Sequence, residues 1–301
     1  MPASVMLESG RPDTSNETWS VQVGEKTRMR IGNIPVGEGA PLILISGLNV
    51  IENESDTIEV ARTIQQLAEK YDFPLVFKAS FDKANRSRHD SFRGPGIDEG
   101  LRTLAAVKTD TGLPILTDVH DPGQPKIAAQ VADIIQIPAF LMRQTDLIAA
   151  CAAAGVAVNL KKGQFIAPHD MHHAVDKLKH FGCEDILVTD RGTCFGYNNL
   201  VTDMQGLVQM RSFAPVCFDA THAVQYPGAN DGTSGGDRRF VAPLARAAVA
   251  AGIDALFVET HPDIDSAPCD GPSQISFEEL DQLLAEAHAI DRALRETAAA
   301  P

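Results

Sequence analysis

Leu75-Val76-Phe77-Lys78-Ala79-Ser80-Phe81-Asp82-Lys83-Ala84-Asn85-Arg86-Ser87-Arg88-His89-Asp90-Ser91-Phe92-Arg93-Gly94-Pro95-Gly96 holds one complete step of this chain's architecture. Three apolar residues make a short strand of the kind buried on both faces. The chain then leaves it through a polar loop that ends in a Gly-Pro-Gly turn. Five cations (Lys78, Lys83, Arg86, Arg88 and Arg93) crowd together here, although the whole protein carries a formal net charge of −14. Ser80, Asn85 and Ser87 stand between them as short hydrogen-bond donors, which suits phosphate or carboxylate oxygens. A solvated loop with incidental charge is the plainer reading of cations alone. The strand-end position and the interleaved donors favour an anion site.

The same step recurs in both directions. Short apolar, β-branched runs fall at residues 42–45, 75–77, 115–118, 134–137, 156–160, 186–188, 216–218 and 255–258. Amphipathic stretches separate them: 57–71, capped by Ser55-Asp56, 98–110, one opening at Asp121-Pro122, then 143–154, 170–181, 239–251 and 277–298. Eight βα units without a linker-like break predict an α/β fold of the (β/α)8 TIM barrel type. An open doubly wound sheet is the rival, but Gly47-Leu48-Asn49-Val50 is not the Gly-rich phosphate turn such a sheet usually carries after its first strand. A short N-terminal β-hairpin is expected from 19–23 and 28–31, joined across Gly24-Glu25-Lys26. Residues 1–17 read as a disordered tail, and 18–298 as a single barrel domain that includes the hairpin.

Composition excludes several classes of function. Hydrophobic residues make up 44% and charged residues 22%, ordinary for a chain with a substantial core. Aromatics at 6%, with one Trp, give no stacking platform, and the acidic balance repels a phosphate backbone, so no nucleic acid is expected. Five scattered cysteines without a CxxC pair fit a reducing compartment, and Cys151, Cys183 and Cys194 read as packing residues. No run reaches the roughly 18 apolar residues of a membrane span, and no basic-then-apolar leader pattern is present. The expectation is therefore a cytoplasmic protein with no membrane partner.

In such barrels chemistry sits at the carboxyl ends of the strands. The residues there are Asn49 and Glu52, Lys78 and Ser80, Asp118 and His120, Gln136, Lys161 and Gln164, Asp190 and Arg191, Asp219 and His222, and Glu259 and His261. Ionisable or amide side chains at every strand end point to one pocket. Any one of them, His120 for instance, could equally be a structural residue, and His172 and His173 read as surface residues of a helix. Lys78, Lys83, Arg86, Lys161 and Arg191 suffice for at least two anionic groups. Asp118, Glu259, Asp270, His120 and His222 supply orientation, proton transfer or metal binding. A Schiff-base aldolase using Lys78 or Lys161 fits the same spacing.

The run Phe77-Lys78-Ala79-Ser80-Phe81-Asp82-Lys83-Ala84-Asn85-Arg86-Ser87 resembles the signature of the 3-deoxy-D-manno-octulosonate 8-phosphate (KDO 8-phosphate) synthases. Similar motifs follow in order: Arg93-Gly94-Pro95-Gly96, Thr117-Asp118-Val119-His120, Gln136-Ile137-Pro138-Ala139-Phe140-Leu141 and Arg143-Gln144-Thr145-Asp146-Leu147. Then come Asp190-Arg191-Gly192, Phe195-Gly196-Tyr197, Phe218-Asp219-Ala220-Thr221-His222, Ser234-Gly235-Gly236 and Cys269-Asp270-Gly271-Pro272-Ser273. The resemblance implies a barrel, commonly a homotetramer, that condenses phosphoenolpyruvate with D-arabinose 5-phosphate on the route to lipopolysaccharide. It implies that Lys83, Lys161 and Arg191 hold phosphoenolpyruvate, with Lys78 and Ser80 in the same pocket. Asn85, Arg86 and Ser87 would form the sugar-phosphate loop, near a subunit interface, and Asp118 would orient the sugar hydroxyls. The catalytic set so implied is Asn49, Lys83, Asp118, His222 and Asp270. The substrate-binding set so implied is Lys78, Ser80, Lys83, Asn85, Arg86, Ser87, Gln136, Lys161, Arg191, His222 and Glu259, with Lys83 and His222 in both sets.

One branch of that family holds a divalent metal with Cys, His, Glu and Asp. The matching positions here are Asn49, His222, Glu259 and Asp270, and the Cys269-Asp270-Gly271-Pro272-Ser273 run resembles the metal-free branch, so no metal and no cofactor are expected. Gly163 stands where proline is common in the family. Two rivals stay open: a 3-deoxy-D-arabino-heptulosonate 7-phosphate synthase using erythrose 4-phosphate, and a catalytically silent sugar-phosphate binder.

Overall fold

A computed structural model of the protein describes residues 27–298 apart from 195, 197, 198, 231 and 232. The expected tail 1–17, the expected strand 19–23 and the motif residues Phe195 and Tyr197 lie outside the described residues. The eight apolar runs form the strands of a closed parallel barrel. They are β1 (Ile43–Val50), β2 (Leu75–Ser80), β3 (Ile115–Asp118), β4 (Ile134–Ile137), β5 (Ala157–Lys161), β6 (Ile186–Asp190), β7 (Val216–Asp219) and β8 (Ala255–Glu259). Each pairs with the next in sequence, and β8 returns to β1 with Ala255 opposite Ile43 and Glu259 opposite Gly47. The first strand runs five residues beyond its apolar run because Gly47 admits a bulge against β2. A Cβ there would collide with the Lys78 carbonyl oxygen.

Strand side chains alternate with period two, and the two faces have separate partners. Leu44, Phe77, Ile115, Ile135, Val158, Val188, Phe218 and Val258 pack outward in the layer shared with the helices. Ile43, Ile45, Val76, Leu116, Ile134, Ala157, Leu187, Cys217, Ala255 and Phe257 point inward and form a second cluster. Met29, Ile31 and Val36 complete that cluster. They belong to an antiparallel hairpin of Arg28–Ile31 with Ile34–Gly37, which turns at Gly32 (φ +55°) and Asn33. The hairpin stands under the barrel as its floor. Burying each of its three large apolar side chains is worth about 1.5–3 kcal/mol. Arg28–Ile31 is a strand as expected, and among the described residues it pairs with the segment after it. Pro35 is tolerated in that segment because this is a two-stranded edge.

The helices are α1 (Glu54–Lys70), α2 (Ile97–Thr111), α3 (Pro125–Ala128), α4 (Thr145–Ala152), α5 (His172–His180), α6 (Met204–Met210), α7 (Val241–Ala250) and α8 (Phe277–Ala298). The α1 cap is Asn53, not Ser55-Asp56: its side-chain oxygen accepts the Asp56 N–H at 2.9 Å, which puts Ser55 inside the first turn. The α1 face of Thr57, Val60, Ala61, Ile64 and Ala68 then meets the barrel. Helix α3 begins at Pro125 rather than Pro122. Asp121 first accepts the Gly123 N–H at 2.8 Å and spends Pro122-Gly123 on a turn. Helix α6 was not expected from the sequence, since its seven residues include Gly206 and show barely two turns of periodicity.

Candidate active site

Beyond the floor, the inward positions of the same strands change character. Lys78 and Ser80 follow Val76 on β2, Asp118 follows Leu116 on β3, and Gln136 follows Ile134 on β4. Asn159 and Lys161 follow Ala157 on β5, Asp219 follows Cys217 on β7, and Glu259 follows Phe257 on β8. A cavity of about 840 Å³ opens above them. Its wall includes Lys78, Ser80, Lys83, Asn85, Arg86, Ser87, Asp118, Gln136, Lys161, Arg191, His222, Glu259 and Asp270. Every residue of the expected sets is therefore brought to one place except Asn49, which is buried behind the wall and bonded to two of its carboxylates.

The cations are fixed before any ligand is considered. Lys78 Nζ donates to Glu259 Oε1 at 2.7 Å and to the carbonyls of Asn49 and Leu48 at 2.9 and 3.2 Å, which commits all three ammonium hydrogens. An ammonium so engaged is a poor candidate for the free amine of a Schiff base. Lys161 pairs with Asp219, which also accepts the His222 Nδ1–H at 2.7 Å. Lys83 pairs with Asp270 at 2.8 Å. Arg191 donates to Gln225 Oε1 at 2.5 Å and to the His222 carbonyl at 3.2 Å. Asp219 and Gln225 were not in the expected sets. The i,i+3 spacing of Asp219 and His222 was a usable signal for the first; nothing in the sequence pointed to the second.

The loop after β2 is closed at its base. Lys83 N–H donates to the Arg93 carbonyl at 2.6 Å, and Gly96 N–H donates to the Phe81 carbonyl at 3.0 Å. Gly94 (φ +109°) permits this approach, because a Cβ there would lie 2.7 Å from the Phe81 oxygen. Arg93 forks onto Asp82 at the surface, so it braces the loop. Arg86 faces the cavity and touches the Pro268 carbonyl at 3.2 Å. Arg88 pairs with exposed Asp90 and is absent from the cavity wall. Of the five cations in the opening stretch, three serve the cavity.

Burial opposes every charge here, and the partners decide the outcome. Burial would raise the Asp118 carboxyl, but Lys78, His120 and Lys161 outweigh it and hold Asp118 well below the usual carboxylate range. Asp219, beside His222 and Lys161, and Asp270, beside Lys83 and His222, are held low in the same way against their burial. Burial would lower the Lys83 ammonium, yet Asp270, Cys269 and Glu259 hold it above its ordinary value. His222 goes the other way: burial, aided by Lys161, lowers it despite Asp219. Its ring is therefore neutral near pH 7, with Nδ1–H on Asp219.

His222, Glu259 and Asp270 offer donor atoms within 4.8 Å of one another, the spacing of a single ion's ligands. The rest of the arrangement does not fit a resident transition metal. Asn49 Nδ2 donates to Glu259 Oε2 at 2.5 Å and to Asp270 Oδ2 at 2.9 Å, so an N–H pair stands between the two carboxylates. Its Oδ1 accepts the Cys269 thiol at 3.0 Å, and burial pushes that thiol up to about 11, far from a thiolate ligand. Both carboxylates already have a lysine partner, at 2.7 and 2.8 Å.

Residues 17–296 match the model of the DAHP synthetase I family. The chain is also similar to proteins named 2-dehydro-3-deoxyphosphooctonate aldolase. It is 53% identical over 262 residues to the one from Geobacter metallireducens, covering 87% of this chain and 96% of that protein. It is 51% identical over 265 residues to the one from Desulfotalea psychrophila (88% and 95%), and 50% over 258 residues to the one from Protochlamydia amoebophila (85% and 94%).

Proposed function

The chain belongs to the DAHP synthetase I family, among the 2-dehydro-3-deoxyphosphooctonate aldolases, and from that premise we propose how its barrel mouth works. The enzyme is a KDO 8-phosphate synthase: it condenses phosphoenolpyruvate with D-arabinose 5-phosphate and water, and releases KDO 8-phosphate and phosphate. Lys83, Lys161 and Arg191 hold the phosphate and carboxylate of phosphoenolpyruvate, above a floor charge supplied by Lys78. Asn85, Arg86 and Ser87 hold the phosphate of the sugar, and Asp118 and Gln136 orient its hydroxyls. Carbon 3 of the enol attacks the aldehyde, water adds at carbon 2, and phosphate leaves the tetrahedral adduct. Two mutually repelling anions meet because preorganised cations offset their charge at no reorganisation cost. Lys83, kept protonated by Asp270, can give a proton to the nascent alkoxide, and neutral His222 can take one from the attacking water.

The observation that carries this reading is that three clamped cations and the Asn85-Arg86-Ser87 loop face one cavity. Turnover runs without a metal, the Asn49 amide donating to the Glu259 and Asp270 carboxylates that would otherwise be free to hold an ion. The enzyme works in the cytoplasm as a homotetramer, with 18–298 as one catalytic domain. Among the described residues no helix is long and apolar enough to cross a membrane.

Phosphate release measured with phosphoenolpyruvate and either D-arabinose 5-phosphate or erythrose 4-phosphate tests the reading. Release is expected with the pentose phosphate alone, unchanged by a chelator. Release with the tetrose alone, release with neither, or loss by chelation restored by Zn2+ or Mn2+ would each contradict a stated part of it.

A further inference from the structure

The residues on the cavity wall rest on others that do not reach it. Thr189 and Asn159 are both fully buried, and neither lines the cavity. Thr189 Oγ1–H donates to Asn159 Oδ1 at 2.6 Å, Asn159 Nδ2 donates to Gln136 Oε1 at 2.8 Å, and Gln136 Nε2 donates to Asp118 Oδ1 at 2.6 Å. The Ser80 hydroxyl reaches the other Asp118 oxygen from the opposite side. The series crosses five neighbouring strands, β6 to β2, through the barrel interior.

The chemistry of the groups fixes its direction. A carboxylate only accepts, an amide NH2 only donates, and an amide oxygen only accepts. With its oxygen engaged by Asn159, Gln136 can turn only its NH2 toward Asp118. Asp118 then takes one donor on each oxygen and keeps its other lone pairs for the cavity. Two other buried hydroxyls of the barrel settle differently: Ser46 donates to the Val258 carbonyl and Thr117 to the Ala79 carbonyl, each on a neighbouring strand. Thr189 and Asn159 instead pass their bonds from side chain to side chain until they reach the one carboxylate on β3 that meets the ligand space.

We propose that Thr189 and Asn159 are positioning residues for the aldose: they lock the Gln136 amide so that Asp118 meets the sugar hydroxyls as a fixed acceptor. This rests on the functional reading above. Neither residue touches substrate, and neither takes part in binding phosphoenolpyruvate. The ionised state that the acceptor needs is supported by the cations around Asp118 and by the Gln136 bond itself.

Steady-state kinetics of the full-length enzyme with phosphoenolpyruvate and D-arabinose 5-phosphate test the proposal in Thr189→Val and Thr189→Ser. Thr189→Val removes the first donor at constant volume. It is expected to raise KM for the aldose about tenfold while KM for phosphoenolpyruvate stays within about twofold, and Thr189→Ser is expected to restore the wild-type value. Should Thr189→Val not fold, Thr189→Ala carries the same test. A folded variant with an unchanged aldose KM, an equal rise in both KM values, or no rescue by serine would overturn the inference and leave the functional reading standing. A wild-type enzyme inert with this substrate pair would overturn both.

Discussion

The floor and the mouth of this barrel come from the same eight strands and the same inward-facing positions, often two residues apart. Val76 and Lys78, Leu116 and Asp118, and Phe257 and Glu259 are such pairs. Below, apolar side chains close on the hairpin residues Met29, Ile31 and Val36. Above, Lys78, Lys83, Lys161 and Arg191 are each held by a side-chain carboxylate or amide from another element. The floor is a transfer problem, solved by area removed from water. The mouth stores buried charge that costs stability to hold and is useful only when anions arrive. Stability and activity should therefore separate along a single strand.

The largest expected separation is at the mouth. Lys83→Met should lower kcat/KM by about a thousandfold or more, roughly 4 kcal/mol of transition-state stabilisation, while the protein stays folded by circular dichroism. Next comes the floor. Ile45→Ala should cost about 2–5 kcal/mol in denaturant unfolding, with both KM values at wild type. A floor variant that shifted KM, or a Lys83 variant that kept its rate, would erase the distinction.

A smaller effect follows from His222. Its folded imidazole takes up a proton at lower pH than the unfolded one, whose ordinary value is 6.5. Below that value the unfolded chain binds more protons, so stability falls as pH drops, by about 1.4 kcal/mol per pH unit for one such group. Unfolding midpoints from pH 8 to 5 should show a slope that His222→Gln reduces. The smallest effect belongs to the surface: Asp110→Asn, which breaks the exposed pair with Arg62, should change neither kinetics nor midpoint.

How much of this was legible in sequence follows the same division. The strands could be read because burial on both faces leaves short apolar runs, and the strand-end residues because ionisable groups there have no packing role. The hairpin partner Ile34–Gly37 was hidden by Pro35, and α6 by its length. Asn159 and Thr189 were invisible as anything but polar interruptions in apolar strands. Their meaning lies in which atom meets which, and spacing does not carry that. Gln225 was missed for a related reason, since its partner Arg191 comes from another strand's end.

The central claim is that the fixed cations of the mouth grip both substrates at once. A crystal structure of the enzyme soaked with phosphoenolpyruvate and D-arabinose 5-phosphate tests it most directly. The account predicts Lys83, Lys161 and Arg191 on the phosphate and carboxylate of the first, and Asn85, Arg86 and Ser87 on the phosphate of the second. Both compounds bound elsewhere, with those side chains turned to solvent, would contradict it.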